Sequence, residues 1–240
     1  MQFSQEAVLD VLDLCGVAVF AASGAVLAIR RRFDIVGLLT LAFVAGLGGG
    51  VLRDLILARG VPVAFDNPKY AIVAFVTAII VVPAQHLIKR LWRPVLVLDA
   101  AGLGLFCVTG ASLAAERELA AIPAVMVGVV AATGGGVIRD VLAGEAPQVF
   151  QHDSVLYVIP AALGATTVVI ADGLGQLSVG ISICAALAVT ALRVAALHFS
   201  WHAPLPQRRN EELAKKRSSL AKSGHDGTRT RDLHRVMVAL

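Results

Sequence analysis

Gly48-Gly49-Gly50-Val51-Leu52-Arg53-Asp54 and its near copy Gly134-Gly135-Gly136-Val137-Ile138-Arg139-Asp140 decide how this 240-residue chain is read. Each sets three glycines, then a charged pair about one helical turn later, into an apolar run. The copies lie 86 positions apart, and the same shift superposes much of the surrounding sequence without a gap. Asp13 falls on Asp99, Gly16 on Gly102, Phe20 on Phe106, and Ser23-Gly24-Ala25 on Thr109-Gly110-Ala111. Small and apolar residues coincide easily by chance. An acid, a glycine triplet and an Arg-Asp pair in one gapless register do not, so the chain holds an internal repeat.

Working outward, apolar runs cover residues 8–29, 35–57, 70–88, 95–115, 119–142, 154–171 and 177–199. Crossing a bilayer takes about 20 helical residues, and these runs are of that length. Hydrophobic residues make up 57% of the chain, more than a soluble domain of this size can hide, and only 5% are aromatic. Abundant Ala, Val, Leu and Gly suit closely packed membrane helices better than a barrel. Polar or helix-breaking clusters separate the runs, among them Arg30-Arg31-Arg32, Asp66-Asn67-Pro68-Lys69 and Glu116-Arg117-Glu118. The expected fold is an all-α integral membrane protein of seven transmembrane helices. Residues 1–92 form one three-helix repeat, 93–175 a second, 176–203 the last helix, and 204–240 a basic, disordered tail. An odd number of helices per repeat makes the second unit enter from the opposite side, so the repeats are inverted.

The net charge of +4 does not mark a nucleic-acid binder. Nine Lys/Arg and four Asp/Glu fall within residues 207–240, against twelve and thirteen in the preceding 206, so the tail alone makes the chain basic. Arg30–Arg32 and Lys89, Arg90 and Arg93 share one side with that tail. The positive-inside rule then puts the N-terminus outside and the C-terminus in the cytoplasm of a cell (inner) membrane protein. Residues 1–29 contain Glu6, Asp10 and Asp13 with no basic residue, which reads as a first membrane helix rather than a signal peptide.

Three glycines inside a membrane helix let it kink, unwind or admit another backbone closely. Loosened carbonyls need protein or water partners, so a break implies a hydrated interior, and two breaks in inverted units converge near mid-membrane. Gly48, Gly49, Gly50, Gly134, Gly135 and Gly136 are therefore candidate pore residues, together with Arg53, Asp54, Arg139 and Asp140. Four charges at the bilayer centre would cost on the order of 10 kcal/mol, so they are paired, hydrated or snorkelling toward an interface. Asp13 and Asp99 are secondary candidates, with a helix-start anion as the competing role. Arg193 is read as snorkelling at the end of the last helix. Gly46-Leu47-Gly48-Gly49-Gly50 and Thr133-Gly134-Gly135-Gly136 lack the strand, spacing and lysine of nucleotide-binding loops. Cys15, Cys107 and Cys184 are expected to be packing residues. His86, His152, His198 and His202 stand singly, without metal-ligand company, and no catalytic constellation is evident. The expectation is a protein that is not an enzyme and needs no cofactor.

With its tandem GGG-x-x-Arg-Asp motifs, repeated Asp-x-x-Gly and [Ser/Thr]-Gly-Ala helices, the sequence resembles the prokaryotic trimeric intracellular cation channel family over residues 8–200. The resemblance implies a homotrimer with a pore in each subunit around the glycine-broken second and fifth membrane helices, passing monovalent cations, chiefly potassium ions. Animal members of that family carry a Lys-Glu pair beside the glycine segment, which neither GGG has here. Because related sequences are sometimes labelled glycine transporters, the alternative is a secondary transporter of a small solute such as glycine. A packed scaffold without flux is the third class.

Overall fold

The computed structural model describes residues 5–88, 93–150 and 157–199. Lys89, Arg90, His152 and the tail expected over 204–240 lie outside them, as do the side chains of Glu6 and His86. The described residues form helices α1 (Gln5–Arg30), α2 (Ile35–Ile56), a single turn α3 (Val63–Asp66), α4 (Pro68–Ile88), α5 (Pro94–Glu116), α6 (Ala121–Leu142), α7 (Val158–Gly173) and α8 (Val179–His198). Seven of these follow the seven apolar runs to within a few residues. Helices α1, α2, α5, α6 and α8 are long and apolar enough to cross a membrane. Helix α7 has 16 residues, about 24 Å at the α-helical rise, and contributes a shorter apolar segment, as α4 does from Pro68 to Ala84.

Polarity is arranged for a bilayer. Ile35, Val36, Ile72, Ile79, Met126, Leu163, Ile170 and Leu187 face outward, while Asp13, Arg53, Asp54, Asp99, Arg139, Asp140 and Arg193 are buried. An outward apolar surface around a charged interior suits lipid and penalises water, so this is an integral, multi-pass membrane protein.

The repeat is visible down to single helix ends. Helix α1 stops where Arg32 takes φ +58° and Phe33 N–H reaches Ala28 O; α5 stops where Glu118 takes φ +55° and Leu119 N–H reaches Ala114 O. After α2, Ala58 is left-handed and Arg59 N–H bonds Asp54 O. After α6, Gly144 is left-handed and Glu145 N–H bonds Asp140 O. These are Schellman-type closures satisfying the last carbonyls, displaced by the same 86 residues.

Contacts between the halves are reciprocal, as a two-fold rotation requires. Phe20 and Phe106 stack with centroids 5.5 Å apart, each ring lying over the glycine of the other helix, Gly102 and Gly16. Where α2 meets α6, Gly49 faces Ala131 O and Gly135 faces Ala45 O. Among the described residues, helix α8 has no counterpart in the first half. It packs on α5 and α7, with Gly104 against Ala186 and Thr190, and Gly164 against Val189 and the α5 residue Cys107.

The expected glycine breaks are absent. Helices α2 and α6 run as uninterrupted α-helix through both triplets. A Cβ on Gly49 would run into the Ala131 carbonyl oxygen, and one on Gly135 would lie 2.5 Å from Ala45 O. The glycines thus serve close backbone approach, and the carbonyls that a kink would have freed stay in the helical ladder.

Candidate functional site

Two buried polar centres sit one helical turn beyond the glycines. In the first, Arg53 on α2 reaches Asp13 on α1 with two nitrogens, at 2.5 and 3.2 Å, and its own neighbour Asp54 at 2.9 Å. Asp54 accepts a second bond from Val63 N–H at 3.0 Å, which ties α3 to the centre, and Arg59 lies 3.6 Å away. Thr109 of the opposite half donates to Asp13 at 3.3 Å, and the Tyr70 hydroxyl interacts with the same carboxylate.

The second centre repeats this plan. Arg139 on α6 reaches Asp99 on α5 at 2.9 Å and Asp140 through two nitrogens, at 2.9 and 2.7 Å. Ser23 of the first half accepts from Arg139, in the position equivalent to Thr109. Gln148 N–H donates to Asp140 at 3.1 Å, and the Tyr157 hydroxyl interacts with Asp99. Each half therefore lends a hydroxyl to the other half's ion pair.

Of the alternatives open for these charges, pairing is realised, and the snorkelling and helix-start roles are not. Arg53 and Arg139 are 1% and 0% exposed, so neither snorkels. Asp13 is the ninth residue of α1 and Asp99 the sixth of α5, both beyond the first turn, where they neutralise the arginines rather than cap a helix. The paired geometry answers the cost of burying charge: bidentate, hydrogen-bonded guanidinium–carboxylate pairs are the form in which it is tolerated.

The centres differ in what surrounds them. A cavity of about 420 Å³, lined by Asp10, Asp13, Arg53, Arg59, Tyr70 and Glu116 among others, opens onto the first. Deeper, between Asp13, Leu47, Gly50 and Phe106, the space contracts to about 10 Å³, barely the room one water needs. The second centre is covered by α8. Arg193 places its guanidinium 4.9 Å from the centre of the Tyr157 ring and donates to Gln148 Oε1 at 3.3 Å. At 2% exposure it does not snorkel either: it lies on the buried face of α8 with Ser182, Ala186 and Val189. With carboxylates ionised, each centre has two guanidiniums near two carboxylates: Arg53 and Arg59 in the first, Arg139 and Arg193 in the second. Arg193, Gln148, Tyr157 and Tyr70 were not legible as site residues, because none has a gap-free partner in the repeat. Ser23 and Thr109 were legible as a repeated hydroxyl position. Cys107 is buried as expected, whereas Cys15 and Cys184 face outward.

A repeated three-helix membrane unit that pairs through glycine contacts and buries an Arg-Asp centre in each copy defines the class. The family described as "Glycine transporter" matches residues 10–86 and again 96–172, the same 86-residue displacement. The chain belongs to that family, the trimeric intracellular cation channel type. It is 35% identical over 199 residues to the UPF0126 inner membrane protein YadS of Escherichia coli (strain K12), covering 81% of this chain and 93% of that one. Its fold matches the solved trimeric intracellular cation channel orthologue of Rhodobacter sphaeroides with a TM-score of 0.76, at 34% identity, over 81% of this chain and 99% of that one. A second solved structure, described in terms of conductance through such cation channels, matches with a TM-score of 0.73 at 33% identity, over 82% and 96%.

Proposed function

We propose that this protein is a monovalent cation channel, chiefly potassium-permeable, that assembles as a homotrimer with one pore in each subunit. The observation that carries the reading is the doubled Arg-Asp centre inside a membrane fold whose solved neighbours are described as cation channels. The path runs from the cavity past Asp13 and Arg53, along the stacked Phe20–Phe106 pair, to Asp99 and Arg139. The glycine contact between α2 and α6 is its wall, and the narrowing beneath Asp13 is a closed gate. In the open form water and polar groups replace part of the ion's hydration. The protein is a conduit rather than an enzyme. Residues 10–86 and 96–172 insert as inverted repeats, with the N-terminus outside and the cavity on that side.

Planar-bilayer recording from purified protein tests this directly. Unitary currents carried by potassium and little affected by replacing chloride support the channel. Saturable, ion-coupled solute flux without unitary events would replace it by a transporter. Single cysteines substituted at Arg31 and Arg117, in a background lacking the native cysteines, should react with an impermeant thiol reagent from opposite faces. Reaction from one face would remove the inverted topology.

A further inference from the structure

We propose that the second centre is a monovalent-cation site, formed by the Asp99 carboxylate, the Gln148 side-chain carbonyl and the Tyr157 hydroxyl and ring, and that Arg193 fills it as a tethered cation. For its consequence on permeation this rests on the channel reading; the site itself does not.

Four observations converge on it. Asp99 is fully buried, and among the described residues its Oδ2 has no hydrogen-bond partner, although Oδ1 is held by Arg139. Arg193 is almost fully buried, and its Nε likewise has none. A buried carboxylate oxygen and a buried guanidinium N–H left without partners are costly, and Arg193 meets the Tyr157 ring and Gln148 without closing an ion pair on Asp99 of the kind that joins Arg53 to Asp13. The Tyr157 hydroxyl and Asp99 Oδ1 converge on one spot, 2.7 and 2.8 Å from where a Gly136 Cβ would stand. Arg193 meanwhile lies over the Tyr157 ring and bonds Gln148, a carbonyl acceptor, within reach of the Asp99 charge. An aromatic face, a carbonyl oxygen and a carboxylate around one positive group are what a small monovalent cation also needs.

The comparison of halves says which charge is the addition. Arg53 and Arg139 are repeat partners, each matched by the acid of its own unit and the acid that follows it. Arg193 comes from α8, the helix outside the repeat. In the first half the second cation is Arg59, 3.6 Å from Asp54, whereas its repeat partner Glu145 turns to Arg31, so subtracting Arg193 leaves the second centre one guanidinium short. Arg193 thus supplies from α8 the second positive charge that Arg59 supplies in the first half.

The test is thermal denaturation of purified protein in potassium chloride against N-methylglucamine chloride at equal ionic strength. R193Q should assemble in potassium and show a rise in Tm of about 3–6 °C when potassium is roughly tenfold above its dissociation constant. The parent and R193K, which keep the tethered charge, should show no difference between the salts. R193Q/D99N, neutral at both positions, should assemble and show none either. The proposal is overturned if R193Q melts identically in both salts, if it fails to assemble even in potassium, or if R193Q/D99N fails to assemble or keeps the shift. Bilayer recordings separate this result from the channel reading. A conducting parent with an ion-indifferent R193Q removes the site alone, whereas a silent parent with potassium-stabilised R193Q removes the channel alone.

Discussion

The two Arg-Asp centres are built from the same residue types in the same register, yet a cavity opens onto one and α8 lays Arg193 against the other. Arg53 and Arg139 hold equivalent acids, and Thr109 and Ser23 reach across the interface from two-fold-related positions. What separates them is α8, which brings Arg193 to the second centre and nothing to the first. The shared contacts are those a two-fold pairing needs in order to close. The unshared helix is free to make the two centres chemically unequal.

The largest expected effect comes from removing one arginine at a time. Arg139→Met leaves Asp99 and Asp140 buried behind α8, and losing one partner of such a pair costs about 3–5 kcal/mol. Arg53→Met leaves Asp13 and Asp54 beside a cavity and near Arg59, where solvation and the second arginine limit the loss to about 1–3 kcal/mol. Thermal melts of the two variants in one detergent measure the difference. Equal losses would mean that the cavity does not hydrate the first centre, and the contrast between the halves would fall.

A smaller effect tests the two-fold relation itself. Alanine at Gly49 pushes against the Ala131 carbonyl, and alanine at Gly135 against the Ala45 carbonyl. Neither obstacle is a side chain that can swing aside. Overpacking of this kind costs about 1–3 kcal/mol, against roughly 1 kcal/mol gained from helix propensity. Both variants should lower Tm by similar amounts. A loss confined to one of them would show that the α2–α6 contact is not reciprocal.

Helix order, the repeat and the identity of Arg53, Asp54, Arg139 and Asp140 were legible because apolar period and an 86-residue register are local properties of a string. The function of the glycines was not, because a triplet licenses either a break or a close contact. The choice depends on what stands opposite: Ala131 for Gly49 and Ala45 for Gly135. Asp13 and Asp99 looked like helix-start anions because their partners lie 40 residues away, a pairing that no periodicity announces. Arg193 was misread for a related reason. Its closeness to the end of α8 suggested an interface, but it lies on that helix's buried face and turns to Tyr157 and Gln148.

The smallest effect distinguishes two glycines that the repeat declares equivalent. A methyl group on Gly50 would find Arg53 Nη2 at 3.8 Å and nothing nearer, an ordinary contact beside the first centre. Gly50→Ala should therefore keep most of the alanine advantage in a helix interior, roughly 1 kcal/mol, and raise Tm by about 2–4 °C. The same methyl on Gly136 would stand 2.7 Å from the Tyr157 hydroxyl and 2.8 Å from Asp99 Oδ1. Neither group can retreat freely, because Arg139 holds Asp99 and Arg193 covers the Tyr157 ring. Gly136→Ala should then lower Tm, the crowding outweighing the propensity gain. Opposite signs at equivalent positions would localise the asymmetry of the molecule to the space around Tyr157. A rise in both would mean that the second centre is looser than its burial implies, with Asp99 and Tyr157 able to part without loss.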